Sequence, residues 1–298
     1  LWAWEAFAHG AEAVCYFRWR QAPFAQEQMH AGMLRPDSAA APAYHEAARV
    51  AEELKALPVT AVAKAKVALV FDYESAWAWA IQPQGKDFDY FALLFHIYKG
   101  LRRLGLSVDI LPPTAQDFNG YSLVLVPGLF TLPEALKTAL TASGAAVIAG
   151  PRFNSKTPDF TIPVPLPPAL PGLDCLVARV ESLPPTAPVP LVAGGAFTGW
   201  REVLEGTAEV VEEAVDGTPA AMRAGTMTYL GGWPDEEALD RILRSAAIDA
   251  GLEVTDMPEG IRQRDTATHR FLFNYGPEPV HFAGHHIPAA GAVWVPLG

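Results

Sequence analysis

Short apolar runs alternate with longer amphipathic stretches between residues 66 and 150, and this pattern restricts the fold more than any other feature of the sequence. Strands that alternate with helices form a doubly wound parallel sheet, whose ligand crevice lies beyond the carboxyl ends of the strands. The sequence therefore predicts an α/β fold. The predicted elements are strands over 66–73, 107–111, 122–128 and 145–150, and helices over 87–104 and 132–144, each helix ended by a glycine.

The segments on either side of this pattern predict two further parts of the chain. Residues 1–57 indicate a helix over 1–9, with Trp2, Phe7 and Ala8 on its apolar side, then a buried strand over 11–19, a loop and an amphipathic helix over 43–57. Residues 151–195 are rich in proline and weakly patterned. Later elements are predicted over 208–215, 220–225, 226–232 and 235–251, followed by an antiparallel tail over 269–276, 278–284 and 291–298. We expect three domains, 1–57, 58–257 and 258–298, with 58–63 as the linker.

The charge balance excludes several classes of partner. The chain has 22 basic and 33 acidic residues and a formal net charge of −11, which argues against nucleic acid and against an anionic membrane surface. No apolar run reaches the roughly 18–20 residues of a membrane helix. Two distant cysteines, Cys15 and Cys175, form no disulfide framework, so a reducing, cytoplasmic compartment is expected. Because the chain starts at Leu1 inside a predicted helix, we expect that an N-terminal part precedes it.

The densest candidate binding site is YFRWRQAPFAQEQMH, residues 16–30. It combines aromatic residues with arginine, a carboxylate at Glu27 and an imidazole at His30, which is the mixture that carbohydrate sites use. An aromatic ring in this segment can stack on the apolar face of a sugar while the polar groups bind its hydroxyls. The alternative is a buried strand with capped arginines and no function.

Two other segments have both a functional and a structural interpretation. Residues 71–91 follow the first strand of the α/β part and could form a crevice loop. The favoured interpretation is an interface or a loop folded over the sheet edge, with Trp77 and Trp79 as packing anchors. The turn VPGLFTL, 126–132, lies where amidotransferase-like folds carry a nucleophile, yet it offers only Gly128 and Leu129. This domain is therefore expected to be catalytically silent.

Two other clusters, one of histidines and one of glycines, give weaker evidence for a functional site. His281, His285 and His286 have no acidic or cysteine partner in local spacing, so a surface turn is favoured over a metal site. The glycines of GGAFTG, 194–199, do not match a phosphate-binding loop.

Several motifs together resemble glycoside hydrolase family 42, the β-galactosidases. AHGA (8–11) and YFRWRQ (16–21) are followed by a glutamate and a histidine three residues apart, Glu27 and His30. The resemblance continues over essentially the whole chain, through DYE-x₂-WA (72–78), RRLGLSVDIL (102–111), YSLVLVPGLF (121–130) and FLFNY (271–275).

The resemblance implies the C-terminal portion of a retaining, exo-acting enzyme that removes terminal β-D-galactosyl residues and forms homotrimers. Residues 1–57 would be the end of a TIM barrel, 58–257 an amidotransferase-like trimerisation domain without catalytic residues, and 258–298 a small β domain. Phe17, Glu27 and His30 match galactose-contacting positions of the family. Both catalytic glutamates, and the cysteine zinc cluster that some members have, lie upstream in the family. This segment is therefore expected to hold no cofactor and to be inactive alone.

Two alternatives remain open at this stage. The chain could be a stand-alone, non-catalytic oligomerisation module whose sheet domain only self-associates. A weaker alternative is an amidotransferase-like enzyme with a displaced nucleophile, for which Cys175 is the available thiol.

Overall fold

The computed structural model describes residues 1–57, 61–85 and 88–297 and forms a mixed α/β fold with parallel and antiparallel sheets. Its contacts divide the chain into two compact units, Leu1–Ala63 with Pro258–Gly298, and Lys64–Met257. The predicted linker over 58–63 lies partly outside the described residues, and the three-domain division stays a prediction. No helix within the described ranges is long and apolar enough to cross a bilayer.

The helices are α1 (Trp2–Ala8), α2 (Pro42–Ala56), α3 (Tyr73–Ile81), α4 (Tyr90–Arg103), α5 (Glu134–Ala142) and α6 (Glu236–Asp249), with a 3₁₀ turn at Gln26–Met29. The strands are β1 (Val67–Val70), β2 (Val108–Leu111), β3 (Leu123–Val126), β4 (Ala146–Ala149), β5 (Cys175–Ser182), β6 (Val189–Pro190), β7 (Ala196–Gly206), β8 (Glu209–Glu213), β9 (Pro219–Ala224), β10 (Met227–Leu230), β11 (Gly232–Pro234), β12 (Ile261–Asp265), β13 (His269–Asn274), β14 (Val280–Phe282), β15 (His285–Ile287) and β16 (Gly291–Pro296).

A seven-stranded sheet with the order β2-β1-β3-β4-β10-β9-β8 forms the centre of the second unit. The strands from β2 to β10 are parallel, and β9 and β8 add antiparallel pairs at one edge. Successive residues of β1 point to opposite faces, so Val67 and Leu69 pack with α4, while Ala68 and Val70 pack with α5. The predicted parallel strands, with helices on both faces, are thus confirmed.

The structure differs from the sequence prediction within residues 71–91. Instead of a loop, this segment contains α3, which Asp72 caps by accepting hydrogen bonds from the backbone N–H groups of Glu74 and Ser75. The packing interpretation is confirmed for Trp79, which is buried. Trp77 is exposed in this chain, and its part in an interface stays a prediction. Lys86 and Asp87, the latter at the predicted start of the next helix, lie outside the described residues.

A second, antiparallel sheet of β5, β6, β7 and β11 was not predicted. Its longest member, β7, pairs with β5 across a register shift and presents charged side chains among apolar ones. The preceding proline-rich stretch therefore leads into regular structure, because partner strands distant in sequence supply the hydrogen bonds.

The first unit has an aromatic core. Trp4 lies 4.5 Å from Trp294 and 5.7 Å from Phe271 between ring centroids, and its Nε1 donates to Glu53 Oε2 at 2.6 Å. The tail strands β13 and β16 pair antiparallel, as predicted, and β12, which was not predicted, pairs with the other edge of β13. The predicted strand over 278–284 is the short β14, which pairs with β15. The predicted apolar side of α1 was partly wrong, because Trp2 is 79% exposed.

The predicted buried strand over 11–19 is also wrong, because no strand forms there and its aromatic residues are exposed. A strand requires a neighbour that exchanges backbone hydrogen bonds with it. Within the described residues, Ala11 N at its start donates to Ala6 O at 2.9 Å, and at its end Arg18 O accepts from Met33 N at 2.9 Å and Trp19 O from Leu34 N at 2.8 Å.

Candidate functional site

Residues 16–34 form a loop that folds back on itself and gathers the predicted site residues. The backbone of Gln21 donates to Leu34 O at 2.9 Å, complementing the two bonds that Met33 and Leu34 donate to Arg18 and Trp19. Between these pairs lies the 3₁₀ turn, and the Gln21 side chain donates to Gln28 O at 2.7 Å. These bonds hold the turn against the start of the loop.

The three predicted site residues lie in one cluster around Arg18. The Arg18 guanidinium forms an ion pair with the Glu27 carboxylate and lies 4.9 Å from the centroid of the Phe17 ring. The Phe17 and His30 rings meet edge to face, with centroids 5.9 Å apart. Phe17 is 69% exposed, so an aromatic face and a carboxylate are both open to a ligand. Their role in binding stays a prediction.

Arg18 belongs to this cluster, although the sequence analysis gave it no role in the site. It lies nine residues from Glu27 and is adjacent to Phe17, so its contact with both depends on the fold of the loop. A cation that pairs with a carboxylate limits the orientations of that carboxylate. The cluster can therefore present Glu27 as a fixed hydrogen-bond acceptor next to an aromatic surface.

Replacing Gly32 by alanine is expected to distort this loop. A Cβ at this position would lie 2.7 Å from Gln21 N and 3.0 Å from Arg18 O, and backbone atoms cannot move aside as a flexible side chain does. We expect the free energy of unfolding to fall by about 1–3 kcal/mol, as for other overpacked sites, and amide hydrogen exchange to increase at Met33 and Leu34. Gly85→Ala is the matched control, because a Cβ there meets nothing within 4 Å. Unchanged exchange in Gly32→Ala would contradict the close approach.

A second candidate region, the crevice beyond the carboxyl ends of β1, β2 and β3, is present as a cavity of about 470 Å³. It lies between β1 and β3, where the strand order reverses, which is the usual ligand position in such sheets. Asp72 and Ser75 from α3 line it, together with Phe130 and Phe160. The Ser75 hydroxyl donates to Asp72 and accepts from the Phe130 backbone N–H, so both polar groups serve the local fold.

The strand-to-helix turn after β3 has no space for a catalytic side chain at Gly128. Gly128 has a φ of +62°, and a Cβ there would lie 2.9 Å from Trp79 and 3.1 Å from Tyr90. Trp79 also donates from Nε1 to Gly128 O at 3.1 Å. A nucleophilic side chain therefore has no room at this position, and the catalytic silence of the domain stays a prediction.

The environment of Cys175 argues against the alternative of an amidotransferase-like enzyme with a displaced nucleophile. Burial, with the charges of Glu202 and Asp174, raises the pKa of its thiol to about 12. Because the thiolate is the reactive species, this side chain is inert near neutral pH. His281 and His286 approach within 3.2 Å between ring nitrogens, but no group of three His, Cys, Asp or Glu side chains suited to a metal occurs in the described part of the chain.

The densest polar arrangement of the second unit is buried. The Arg152 guanidinium carbon lies between 4.8 and 5.2 Å from the ring centroids of Trp79, Phe88, Phe130 and Trp200. Desolvation lowers the pKa of Arg152 to about 10. With four rings and little exposure, this cation stabilises the interior instead of facing a ligand.

Glu202 lies beside this cation at the centre of a hydrogen-bond network. Its carboxylate accepts from Tyr229 Oη at 2.6 Å and from the Arg152 backbone N–H at 2.9 Å. Burial raises the pKa of Glu202 above that of an ordinary carboxyl, and the hydrogen bonds oppose that rise.

Comparison with known families adds to these observations. A family model described as the β-galactosidase trimerisation domain matches residues 65–253, and one described as β-galactosidase matches residues 1–57. The chain belongs to glycoside hydrolase family 42. It corresponds to the C-terminal portion of a family 42 β-galactosidase, as the motifs indicated.

Family 42 relatives are similar along almost the whole chain. A β-galactosidase from Thermus thermophilus is 50% identical over 289 residues, covering 94% of this chain and 44% of the relative. The crystal structure of the β-galactosidase from Marinomonas ef1 superposes with a TM-score of 0.93 at 36% identity, covering 98% of this chain and 48% of that one. The Halorubrum lacusprofundi β-galactosidase gives a TM-score of 0.89 at 31% identity, covering 99% and 49%. The chain thus spans less than half the length of these relatives.

Proposed function

We propose that the chain is the C-terminal part of a retaining β-galactosidase that hydrolyses terminal, non-reducing β-D-galactosyl residues. It would supply part of the galactose subsite and the domain that forms a homotrimer. The observation that carries the proposal is the cluster of Phe17, Arg18, Glu27 and His30, which lies within the 57 residues matched by the β-galactosidase model.

The chemistry of the cluster suits the recognition of a terminal sugar. The exposed Phe17 ring can stack on the apolar face of galactose, and Glu27 can accept hydrogen bonds from its hydroxyls. His30 can donate or accept, and Arg18 orients Glu27. Retaining hydrolysis requires two carboxylates about 5–5.5 Å apart, one as nucleophile and one as acid/base. We assign both to upstream segments of the parent protein.

The finer architecture is part of the same proposal. Residues 1–57 would complete a TIM barrel, and the α/β unit would be an amidotransferase-like domain without catalytic residues, consistent with the closed turn at Gly128. No cofactor is proposed for this segment, and a structural zinc is proposed only for the upstream part. Because Cys15 and Cys175 are unpaired, a cytoplasmic location is also proposed.

The stand-alone module is the less favoured alternative. An oligomerisation module needs no exposed aromatic and acidic cluster in its first 57 residues, and this chain has one that the β-galactosidase model covers.

Assays on the full-length protein and on residues 1–298 alone test the proposal. The full-length protein is expected to hydrolyse a chromogenic β-galactoside and to release β-galactose first, as followed by NMR, whereas residues 1–298 should be inactive. A chromogenic α-galactoside is the control substrate and should be left intact. Failure of the full-length protein on every β-galactoside, or hydrolysis by residues 1–298 alone, would contradict the proposal.

A further inference from the structure

An exposed apolar surface runs along two neighbouring helices of the α/β unit. Its members are between 50% and 70% exposed although each is a large apolar residue. We call this surface the aromatic face and define it by Tyr73, Trp77 and Ile81 on α3, and Phe91 and Phe95 on α4. The α3 members are spaced four residues apart, so they lie along one side of the helix.

The part of the aromatic face around Tyr73, Trp77 and Phe91 is continuous. The half-buried Phe71 ring lies 4.7 Å from Tyr73 and 5.5 Å from Phe91, and Tyr73 lies 6.3 Å from Phe91, between centroids. Tyr73 and Trp77 are 6.4 Å apart along α3. The rings of Phe71, Tyr73, Trp77 and Phe91 thus form one patch, whereas single exposed apolar residues are ordinary on protein surfaces.

Both helices also bury an apolar side within their own unit. Ala76, Ala78 and Trp79 of α3 are buried, as are Leu94 and Ile97 of α4. A helix that is apolar on all sides is normally covered on all sides. Since the inner sides already pack within their own unit, the exposed apolar residues on the outer sides are available to a further partner.

We propose that a second copy of this chain covers the aromatic face, so that this face forms a subunit contact. The proposal rests on the proposed homotrimer, and it names the surface that joins its chains. The aromatic face lies within residues 65–253, which the trimerisation-domain model matches. Aromatic residues are enriched at subunit contacts and often act as their anchors.

The charged residues near the aromatic face favour a protein partner over an anionic lipid surface. The aromatic face carries Glu74 on α3 and Lys99 near Phe95, with a 5.1 Å distance from Lys99 Nζ to the Phe95 ring. Among the described residues of the aromatic face, no cluster of basic side chains of the kind that an anionic lipid surface requires occurs. In a cyclic trimer, the same face of all three chains can meet at the symmetry axis. Alternatively, this face of each chain can contact a different face of the next chain.

Placing charge in the aromatic face tests the proposal in the full-length protein. Trp77→Glu combined with Phe91→Glu is expected to weaken assembly at least about 30-fold, the loss typical of interface anchors, as measured by sedimentation and light scattering over a range of concentrations. Ile162→Glu is the matched control, because Ile162 is 61% exposed outside the aromatic face, against 64% for Trp77. A double variant that assembles like the wild type overturns the proposal.

Photo-crosslinking keeps the test decisive if the double variant does not fold. With p-benzoylphenylalanine in place of Phe91, we expect crosslinks between differently isotope-labelled chains. Crosslinks confined to one chain would show that an upstream segment covers the aromatic face, and this would overturn the proposal. A wild-type protein that is monomeric would refute the homotrimer itself. A trimeric wild type with unchanged variants would refute only the assignment of this surface.

Discussion

Glu27→Ala in the full-length protein is expected to lower kcat/KM for a β-galactoside by about 10- to 100-fold. Hydrogen bonds to charged groups contribute about 1.5–3 kcal/mol, and each 1.4 kcal/mol is a factor of ten. The change removes the carboxylate that Arg18 holds beside Phe17. Steady-state kinetics on a chromogenic substrate measures the loss and divides it between KM and kcat.

Two controls separate a binding role of Glu27 from a structural one. Glu12→Ala removes another exposed glutamate from the same unit and should leave kinetics unchanged. Deoxygalactosides should discriminate further: the analogue that lacks the hydroxyl bound by Glu27 should be a poor substrate for the wild type and should lose no more in Glu27→Ala. If every deoxygalactoside loses as much as the parent sugar in the variant, Glu27 does not contact the substrate.

Glu202→Ala is expected to lower the free energy of unfolding of the α/β unit by about 2–6 kcal/mol. The side chain accepts two hydrogen bonds from buried donors, Tyr229 Oη and the Arg152 backbone N–H. Each buried donor left without an acceptor costs about 1–3 kcal/mol. Urea unfolding followed by tryptophan fluorescence measures the change. A loss below about 1 kcal/mol would mean that water replaces the carboxylate, against the burial of the site.

Glu202→Gln is the matched control and also tests the pH dependence. Because the folded pKa of Glu202 is raised, this group stabilises the fold below its ordinary pKa near 4.3 and loses that contribution as the pH rises through the folded value. The amide cannot ionise, so the variant should gain stability relative to the wild type as the pH rises from about 4, near the ordinary carboxyl pKa, to about 8. An equal difference at both pH values would contradict the raised pKa.

The parallel sheet could be predicted from sequence because its strands are short apolar runs buried on both faces, as in β1 and β3. Helix α3 could not be predicted, because its own apolar residues lie on all of its sides, so the sequence shows no alternation of apolar and polar residues with the period of a helix. The long strand β7 was missed since its partners β5 and β11 are distant in sequence. The nature of the candidate site followed from motif spacing, but the Arg18–Glu27 pair depends on the backbone bonds that fold the loop.

The tail strands complete a core that the first helix begins. Trp4 of α1 packs on Phe271 and Trp294, which the ribosome delivers more than 250 residues later. During translation, α1 therefore remains without its packing partners while the intervening α/β unit is already synthesised. A prematurely terminated product would display an uncovered tryptophan helix, the kind of exposed apolar surface that chaperones and proteases recognise. Completion of synthesis and burial of the first helix are thereby linked.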